Sequence, residues 1–482
     1  MSHLKTLFLQ APSFDGFDGG AGSRYQAKRE IRSFWYPTWL AQPAALVPGS
    51  RLLDAPADGL TVEQALDIAS AYELVIIHTS TPSFPSDARF TELLKARNPT
   101  LLAGMVGAKV AVDPGGSLRA SRAIDFVARE EFDYTCRELA EGRPLADIDG
   151  ISWREAGAGG DAIRHNPPRA MLEDMDALPF VAPVYRRDLN IRNYFIGYLN
   201  YPYVSLYTGR GCRSRCTFCL WPQTVGGHRY RTRSSENVLA EVRWIKENMP
   251  EVKEIMFDDD TFTDFRPRAE EIARGLGELG VTWSCNAKAN VPYSTLKIMK
   301  ENGLRLLLVG YESGDDQILL NIKKGLRTDI ARRFAADCRQ LGITVHGTFI
   351  LGLPGETRET IAKSIAFAKE INPHTIQVSL AAPYPGTRLY EQAVENEWIP
   401  PNKTIHLVNE SGVQLAALSY PHLSSEEIYH GLEQFYRSFY FRPSKIWEIV
   451  SEMAGSWEMT RRRLREGVEF FHFLRAHGAT HS

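Results

Sequence analysis

From Val204 onward the chain repeats one unit. Six apolar runs, VSLYT, EIMFD, VTWSCN, LRLLLVGY, VHGTFILG and TIQVSLA, are separated by segments whose apolar residues recur every three or four positions, such as Val238, Val242, Ile245 and Met249, or Ile361, Ile365 and Ala368. Short apolar runs between stretches of helical period are the mark of βα units, and strands joined by helical crossovers lie parallel. Six of them predict a partial (β/α)6 barrel over residues 204–423. Sites on such sheets lie at the C-terminal ends of the strands.

A second alternation precedes the first. KTLFLQ, RLLDA, ELVIIHTS, TLLAGMV and IDFVARE, all within residues 1–142, predict a doubly wound parallel sheet of Rossmann-like type. Residues 143–203 break the rhythm with Gly, Pro and Asp clusters and read as a linker carrying a small hairpin. Strand patterns stop after Ser424, so residues 424–482 form a helical, aromatic-rich end.

Composition removes several classes of function. With 56 basic against 58 acidic residues the chain has no net basic field, which excludes bulk nucleic-acid binding. Six cysteines in 482 residues, half of them in GRGCRSRCTFCLW (209–221), do not make a disulfide framework. They point to a reducing, cytoplasmic setting and a metal site. LKTLFLQA is too short for a signal segment, and no stretch approaches the ~20 apolar residues of a membrane span. Any membrane contact is therefore expected to be peripheral.

Cys212, Cys216 and Cys219, on a glycine-bounded loop, can all face one centre. Zinc sites usually use paired spacings and four ligands, and His228 is the only nearby candidate for a fourth. An iron–sulfur cluster held by three thiolates instead leaves one iron open to a ligand. The loop follows the first strand of the second alternation, where sites on such sheets lie.

CxxxCxxC with Phe218 before the last cysteine resembles the radical S-adenosylmethionine superfamily. The resemblance implies a [4Fe–4S] cluster whose open iron is chelated by the methionine moiety, a 5′-deoxyadenosyl radical that takes hydrogen from substrate, and an electron donor such as flavodoxin or ferredoxin. It also implies that Asp258, Asp259 and Asp260 in FDDDTFTDF receive the methionine ammonium, the other reading being a solvated acidic turn. Glu312 in VGYESG and Gly352 in GTFILGLPGET resemble the family's sites for the methionine, ribose and adenine. Lys288 in CNAKAN stands where relatives carry arginine that meets the methionine carboxylate; a surface lysine is its other reading.

The front domain resembles the cobalamin-binding domain of one subclass of these enzymes, most tellingly in WYPTWLAQPAALV and FVAREEF. That places Ser80, Thr81 and Gly104, after the third and fourth strands, where the corrin edge would rest, with ordinary loop chemistry as the alternative. No Asp-x-His-x-x-Gly motif offers a ligand to cobalt, and His78 reads as a satisfied core or loop histidine. Cys136, Cys285 and Cys338 read as buried small hydrophobes. No G-x-G-x-x-G follows the first strand, which removes a dinucleotide site.

The opening KTLFLQAPSFDGFDGGAGSRYQ with REIRSFWYPTWLAQPAALVPG resembles a narrower, hopanoid-biosynthesis-associated group of these cobalamin-binding enzymes. The implied reaction is radical contraction of a glucosamine head group to the cyclitol of bacteriohopanetetrol cyclitol ether, and the implied substrate is a small amphiphilic lipid. The rival is a cobalamin-dependent radical methyltransferase on a lipid or other small molecule. A tRNA or ribosomal methylthiotransferase would need further cysteines in the front domain, which has only Cys136. The non-enzyme alternative is an iron–sulfur or cobalamin sensor. Phe435, Phe439, Phe441, Trp447, Phe470, Phe471 and Phe473, with Arg461, Arg462, Arg463 and Arg465, offer a bilayer contact or, as the favoured reading, a helical cap packed on the barrel.

Overall fold

The computed structural model describes residues 3–14, 33–155, 162–399, 407–408, 414–454, 464 and 467–468. The five apolar runs of the front half form parallel strands β1 (Thr6–Gln10), β2 (Arg51–Asp54), β3 (Leu74–His78), β4 (Leu102–Val106) and β5 (Phe126–Ala128). Nearly every residue in them is buried, as expected of a sheet covered on both faces. Side chains alternate between two layers. Leu7, Leu9, Val75, Ile77 and Met105 pack with helices Val62–Ala69 and Phe84–Arg97. Phe8, Leu52, Ile76, Val106 and Phe126 join a core continuous with that of the second half.

The strand order 2-1-3-4-5 is the flavodoxin-like winding, with its switch point between β1 and β3. Strands β6 (Ile151–Glu155) and β7 (Ala162–His165) make the hairpin expected between the halves, but it is not free-standing. It adds antiparallel to β5, pairing Val127 with Ser152, and so extends the front sheet to seven strands.

The second half opens with β8 (Tyr203–Leu206), followed by a short antiparallel pair, β9 (Gly209–Arg210) and β10 (Arg231–Thr232). The series continues with β11 (Glu254–Phe257), β12 (Trp283–Ala287), β13 (Leu304–Glu312), β14 (Thr344–Leu351) and β15 (Thr375–Leu380). Excluding β9 and β10, the six strands are parallel and lie side by side in chain order. That is a barrel winding left open. Helix Ser235–Asn248, capped by Ser234, buries Val238, Val242 and Ile245; helix Arg358–Ile371, opened by a Thr357/Thr360 capping box, buries Ile361, Ile365 and Ala368.

Helix Ser425–Tyr440 covers the last strand. Phe435, Tyr436 and Phe439 are buried, and the Tyr440 and Tyr436 hydroxyls accept from the N–H groups of Ile376 (3.0 Å) and Val378 (2.8 Å). The edge of β15 is thereby protected from pairing with another chain. Helix Pro443–Ala454 instead exposes Ile446, Trp447 and Val450. Arg461, Arg462, Arg463, Arg465, Phe470, Phe471 and Phe473 lie outside the described residues. Among those described, no helix is long and apolar enough to cross a membrane.

Candidate active site

The cysteine loop is tied at its base before any thiol is positioned. Pairing of β9 with β10 closes residues 211–230 into a loop, and the arginine of each strand reaches into the front domain. Arg210 forms a two-point ion pair with Asp133 (2.5 and 3.1 Å), and Arg231 does the same with Glu131 (2.6 Å each). All four side chains are buried, so each pair replaces lost hydration with charge-assisted hydrogen bonds. Burial works against ionisation of Glu131, yet Arg231 and Arg210 hold its carboxyl below the usual range. Gly211 turns the chain with φ of 87°, and a Cβ there would lie 2.4 Å from the Arg229 carbonyl oxygen. Only glycine fits.

Within the loop, Gln223 acts as a lock. Its Nε2 donates to the carbonyl oxygens of Cys216 (3.2 Å), Thr217 (3.2 Å) and Cys219 (2.6 Å), while its Oε1 accepts from the Arg388 N–H. Cys212, Cys216 and Cys219 consequently face one cavity, all as free thiols. No three His, Cys, Asp or Glu among the described residues converge on a single metal ion. Donors around one ion would lie within about 4 Å of each other. A cluster, whose thiolates go to different irons, asks for a wider set, and three free thiols walling one cavity fit it. His228, the candidate fourth ligand, instead bonds through Nδ1 to the carbonyl oxygens of Ser214 (3.0 Å) and Cys212 (3.3 Å). It braces the loop.

Beyond β11 the three aspartates divide. Asp258 and Asp260 line the cavity, whereas Asp259 points the other way. Its carboxylate accepts from the Thr208 N–H and hydroxyl and from Tyr230, each at 2.6 Å, in a fully buried network. Burial raises its pKa against the influence of Arg268 and those donors. Asn286 Nδ2 bridges the two orientations, donating to Asp258 Oδ1 and to the Asp259 carbonyl oxygen, both at 2.9 Å. Lys288 also lines the cavity and is steadied by Asp264 at 3.0 Å. Glu312 stands at the end of β13 with φ of 63°, its carboxylate 2.7 Å from the ammonium of Lys324.

Gly352 follows β14 but is spent within its own loop. Its N–H goes to Glu356, and its carbonyl oxygen accepts from Tyr420 at 2.7 Å. Gly352 and Asp259 are both absent from the cavity wall. That wall, enclosing about 320 Å³, mixes the polar groups above with Trp35, Phe218, Trp221, Phe349 and Leu432. Lys324, Asn286 and Gln223 are participants that motif reasoning did not find. Lys324 lies in NIKKG, with no local pattern to mark it.

In the front domain, Ser80 and Thr81 leave β3 as expected, and the Ser80 hydroxyl is 2.9 Å from that of Ser83. Gly104 does not follow β4. It lies inside the strand, and a Cβ on it would come within 2.3 Å of the Phe126 ring. The glycine that ends this strand is Gly107, with φ of 120° and the Thr79 carbonyl oxygen 2.3 Å from its would-be Cβ. His78 is buried, but it is not satisfied. Among the described residues its Nε2 has no hydrogen-bond partner, and burial lowers its pKa to about 4, leaving a neutral imidazole. Gln10 Oε1, at the end of the neighbouring β1, is likewise buried without a partner among the described residues. Two such atoms at the switch point are what a polar ligand bound there would satisfy. At the boundary between the halves, Trp39 stacks on Trp221 with centroids 4.9 Å apart, and neither buried indole N–H has a partner among the described residues.

The profile of the Radical SAM superfamily matches residues 206–368, from the last residue of β8 into helix Arg358–Ile371. The chain is 30% identical over 440 residues to an uncharacterized methyltransferase, PH0819, of Pyrococcus horikoshii, spanning 89% of this chain and 93% of that protein. It is 26% identical to cytidylyl-2-hydroxyethylphosphonate methyltransferase of Streptomyces wedmorensis over 62% of each chain. Among solved structures, TsrM of Kitasatospora setae, a radical S-adenosylmethionine methyltransferase with cobalamin and a [4Fe-4S] cluster bound, superposes with a TM-score of 0.69 over 99% of this chain and 100% of its own. At 14% identity that likeness is one of fold.

Proposed function

The chain belongs to the radical S-adenosylmethionine superfamily, and we propose that it is a cobalamin-associated radical methyltransferase acting on a small amphiphilic molecule. The observation that carries this reading is one cavity onto which three free thiols, two aspartates, Glu312 and two lysines all open. Similarity to methyltransferases along most of the chain supports methyl transfer over other outcomes.

Cys212, Cys216 and Cys219 would hold a [4Fe–4S] cluster, and the strand-end charges would hold S-adenosylmethionine beside it. When bound, these groups would supply a 5′-deoxyadenosyl radical and, with cobalamin, a transferable methyl group. The residues' own work is binding and exclusion of water. Asp258 and Asp260 present carboxylates suited to an ammonium, and Asn286 fixes the first of them. Lys288 offers a cation to a carboxylate. Phe218, Trp35, Phe349 and Leu432 keep water from a reactive carbon centre. At the switch point, Gln10 and His78 would offer polar atoms to a bound cobalamin, with Ser80 and Thr81 in the adjoining loop.

An amphiphilic substrate is supported by the mixed wall of the cavity. The exposed face of Ile446, Trp447 and Val450, followed in sequence by the arginines of 461–465, supports contact with a bilayer surface. The finer reading, ring contraction of a glucosamine-bearing hopanoid head group, rests on the resemblance of the opening stretch, whose residues 15–32 lie outside those described. Anaerobically reconstituted protein given methyl-labelled S-adenosylmethionine and candidate lipids separates the readings. Labelled product supports methyl transfer. Formation of 5′-deoxyadenosine without label transfer, with the glucosamine form accumulating in a deletion strain, favours ring contraction. Bound cofactors with no cleavage of S-adenosylmethionine would leave only the sensor.

A further inference from the structure

The outer rim of the cysteine loop carries charge that the fold does not use. Arg213 follows Cys212 and Arg215 precedes Cys216; the thiols are buried and both arginines are exposed. Asp264 answers Arg213 at 3.3 Å. Arg215 has no ionic or hydrogen-bond partner among the described residues. Thr217 ties this rim to a second segment. Its N–H donates to the Ile322 carbonyl oxygen at 3.0 Å, which sets the turn after helix Asp316–Asn321 alongside the loop. That turn exposes Lys323, whose ammonium is also without a partner among the described residues, and the end of the helix exposes Leu320 at 69%. Consecutive Cα atoms lie about 3.8 Å apart, so all three residues stand within a few residues' reach of the bond that joins the segments. The chain holds no second group of thiols to relay an electron. Cys136, Cys285 and Cys338 sit in three separate elements, helix Asp133–Ala140, β12 and helix Thr328–Leu341, each packed in the apolar core.

We propose that Arg215, Lys323 and Leu320 form the docking surface for a small acidic protein that carries single electrons, and that the cluster is reduced across it. This rests on the cluster reading given above. In that step the carrier is oxidised by one electron and the cluster is reduced by one; no bond forms or breaks and no proton is transferred. A projecting apolar side chain beside unpaired cations suits a brief protein contact, the leucine giving area and the cations steering the encounter. Because Arg215 is bonded to Cys216, a carrier seated on it lies one residue from a thiol.

The test uses reconstituted full-length protein with flavodoxin as the acidic probe. Two quantities are read: the dissociation constant of flavodoxin, and the rate at which the cluster's visible absorbance fades under flavodoxin hydroquinone or under photoreduced deazaflavin, a small uncharged reductant. Wild-type affinity for flavodoxin is expected to fall as salt rises from about 0.01 to about 0.15 M, over which the screening length drops from about 30 to about 8 Å. Arg215→Gln combined with Lys323→Gln is expected to weaken flavodoxin binding and slow its reduction of the cluster about tenfold, and to flatten the salt dependence. Leu320→Ser weakens binding at every salt concentration, and deazaflavin reduces all the proteins at the wild-type rate. A double variant that binds flavodoxin and is reduced by it like the wild type overturns the proposal. So does equal slowing with both reductants, which would mean a damaged cluster site. Loss of binding to anionic vesicles with flavodoxin binding kept would give the patch to a lipid surface and overturn it too. A wild-type protein that loads no cluster removes the underlying reading as well.

Discussion

Asp87 lies buried behind the loop that leaves β3, where its carboxylate accepts from the hydroxyls of Thr79 (2.7 Å) and Ser83 (2.8 Å). Burial pushes its pKa up to about 7, against those hydrogen bonds. Because the folded value lies above the unfolded one, its contribution to stability is complete in acid and is lost as pH rises through about 7. Asp87→Asn keeps an acceptor for the hydroxyls and removes the charge. Thermal unfolding followed from about pH 5 to about pH 8 is expected to show the wild type losing stability relative to the variant. Gly104 is a sharper case. An alanine there places Cβ 2.3 Å from the Phe126 ring, and overpacking of this kind costs about 1–3 kcal/mol in urea unfolding. Phe126→Leu in the same background should recover part of the loss.

Strands and helices of both halves were legible because their burial is simple. A strand covered on both faces is an unbroken apolar run, and a helix packed on one side repeats every three or four residues. What was missed depends on direction or distance. Just after β11, Asp258 and Asp260 face the cavity while Asp259 between them serves the core. Reading DDD as one acidic cluster overlooked that alternation. Lys324 could not have been read at all, since only the turn after helix Asp316–Asn321 brings it beside Glu312. The front-domain stretch FVAREEF, noticed as a resemblance, turns out to supply Glu131 to the base of the cysteine loop. Glu131→Gln leaves the Arg231 charge buried without its counterion, at a cost of about 3–5 kcal/mol. Lower thermal stability and faster proteolysis within residues 211–230 are the expected signs. The wild-type clamp should itself weaken in acid: the folded pKa of Glu131 lies below its unfolded value, so its contribution holds above the ordinary carboxylate range and disappears as pH falls through that depressed value.

At the scale of the molecule, two sheets of different winding share one core, and the cavity lies at the strand ends of the second sheet, with Trp35 of the front half also lining it. The helical end divides its labour. Phe435 and Phe439 are packed away, as a cap requires, while Trp447 remains 74% exposed beside Ile446 and Val450. If that face meets a bilayer, Trp447→Ser should reduce co-sedimentation with anionic vesicles several-fold without changing the protein's thermal stability. Equal recovery of both proteins in the pellet would count against the contact. Which lipid or other molecule enters the cavity could not be read from the fold, because substrate choice lies in a few wall residues drawn from distant elements.

The arginine clamp also bears on how such enzymes could be recombined. A chimera that joins this barrel to a foreign front domain would inherit Arg210 and Arg231 as two buried cations facing nothing, unless the graft also carries counterparts of Glu131 and Asp133. Swapping at the apparent seam between the halves would therefore cut through the support of the thiol loop, and a workable crossover must travel with those acidic residues.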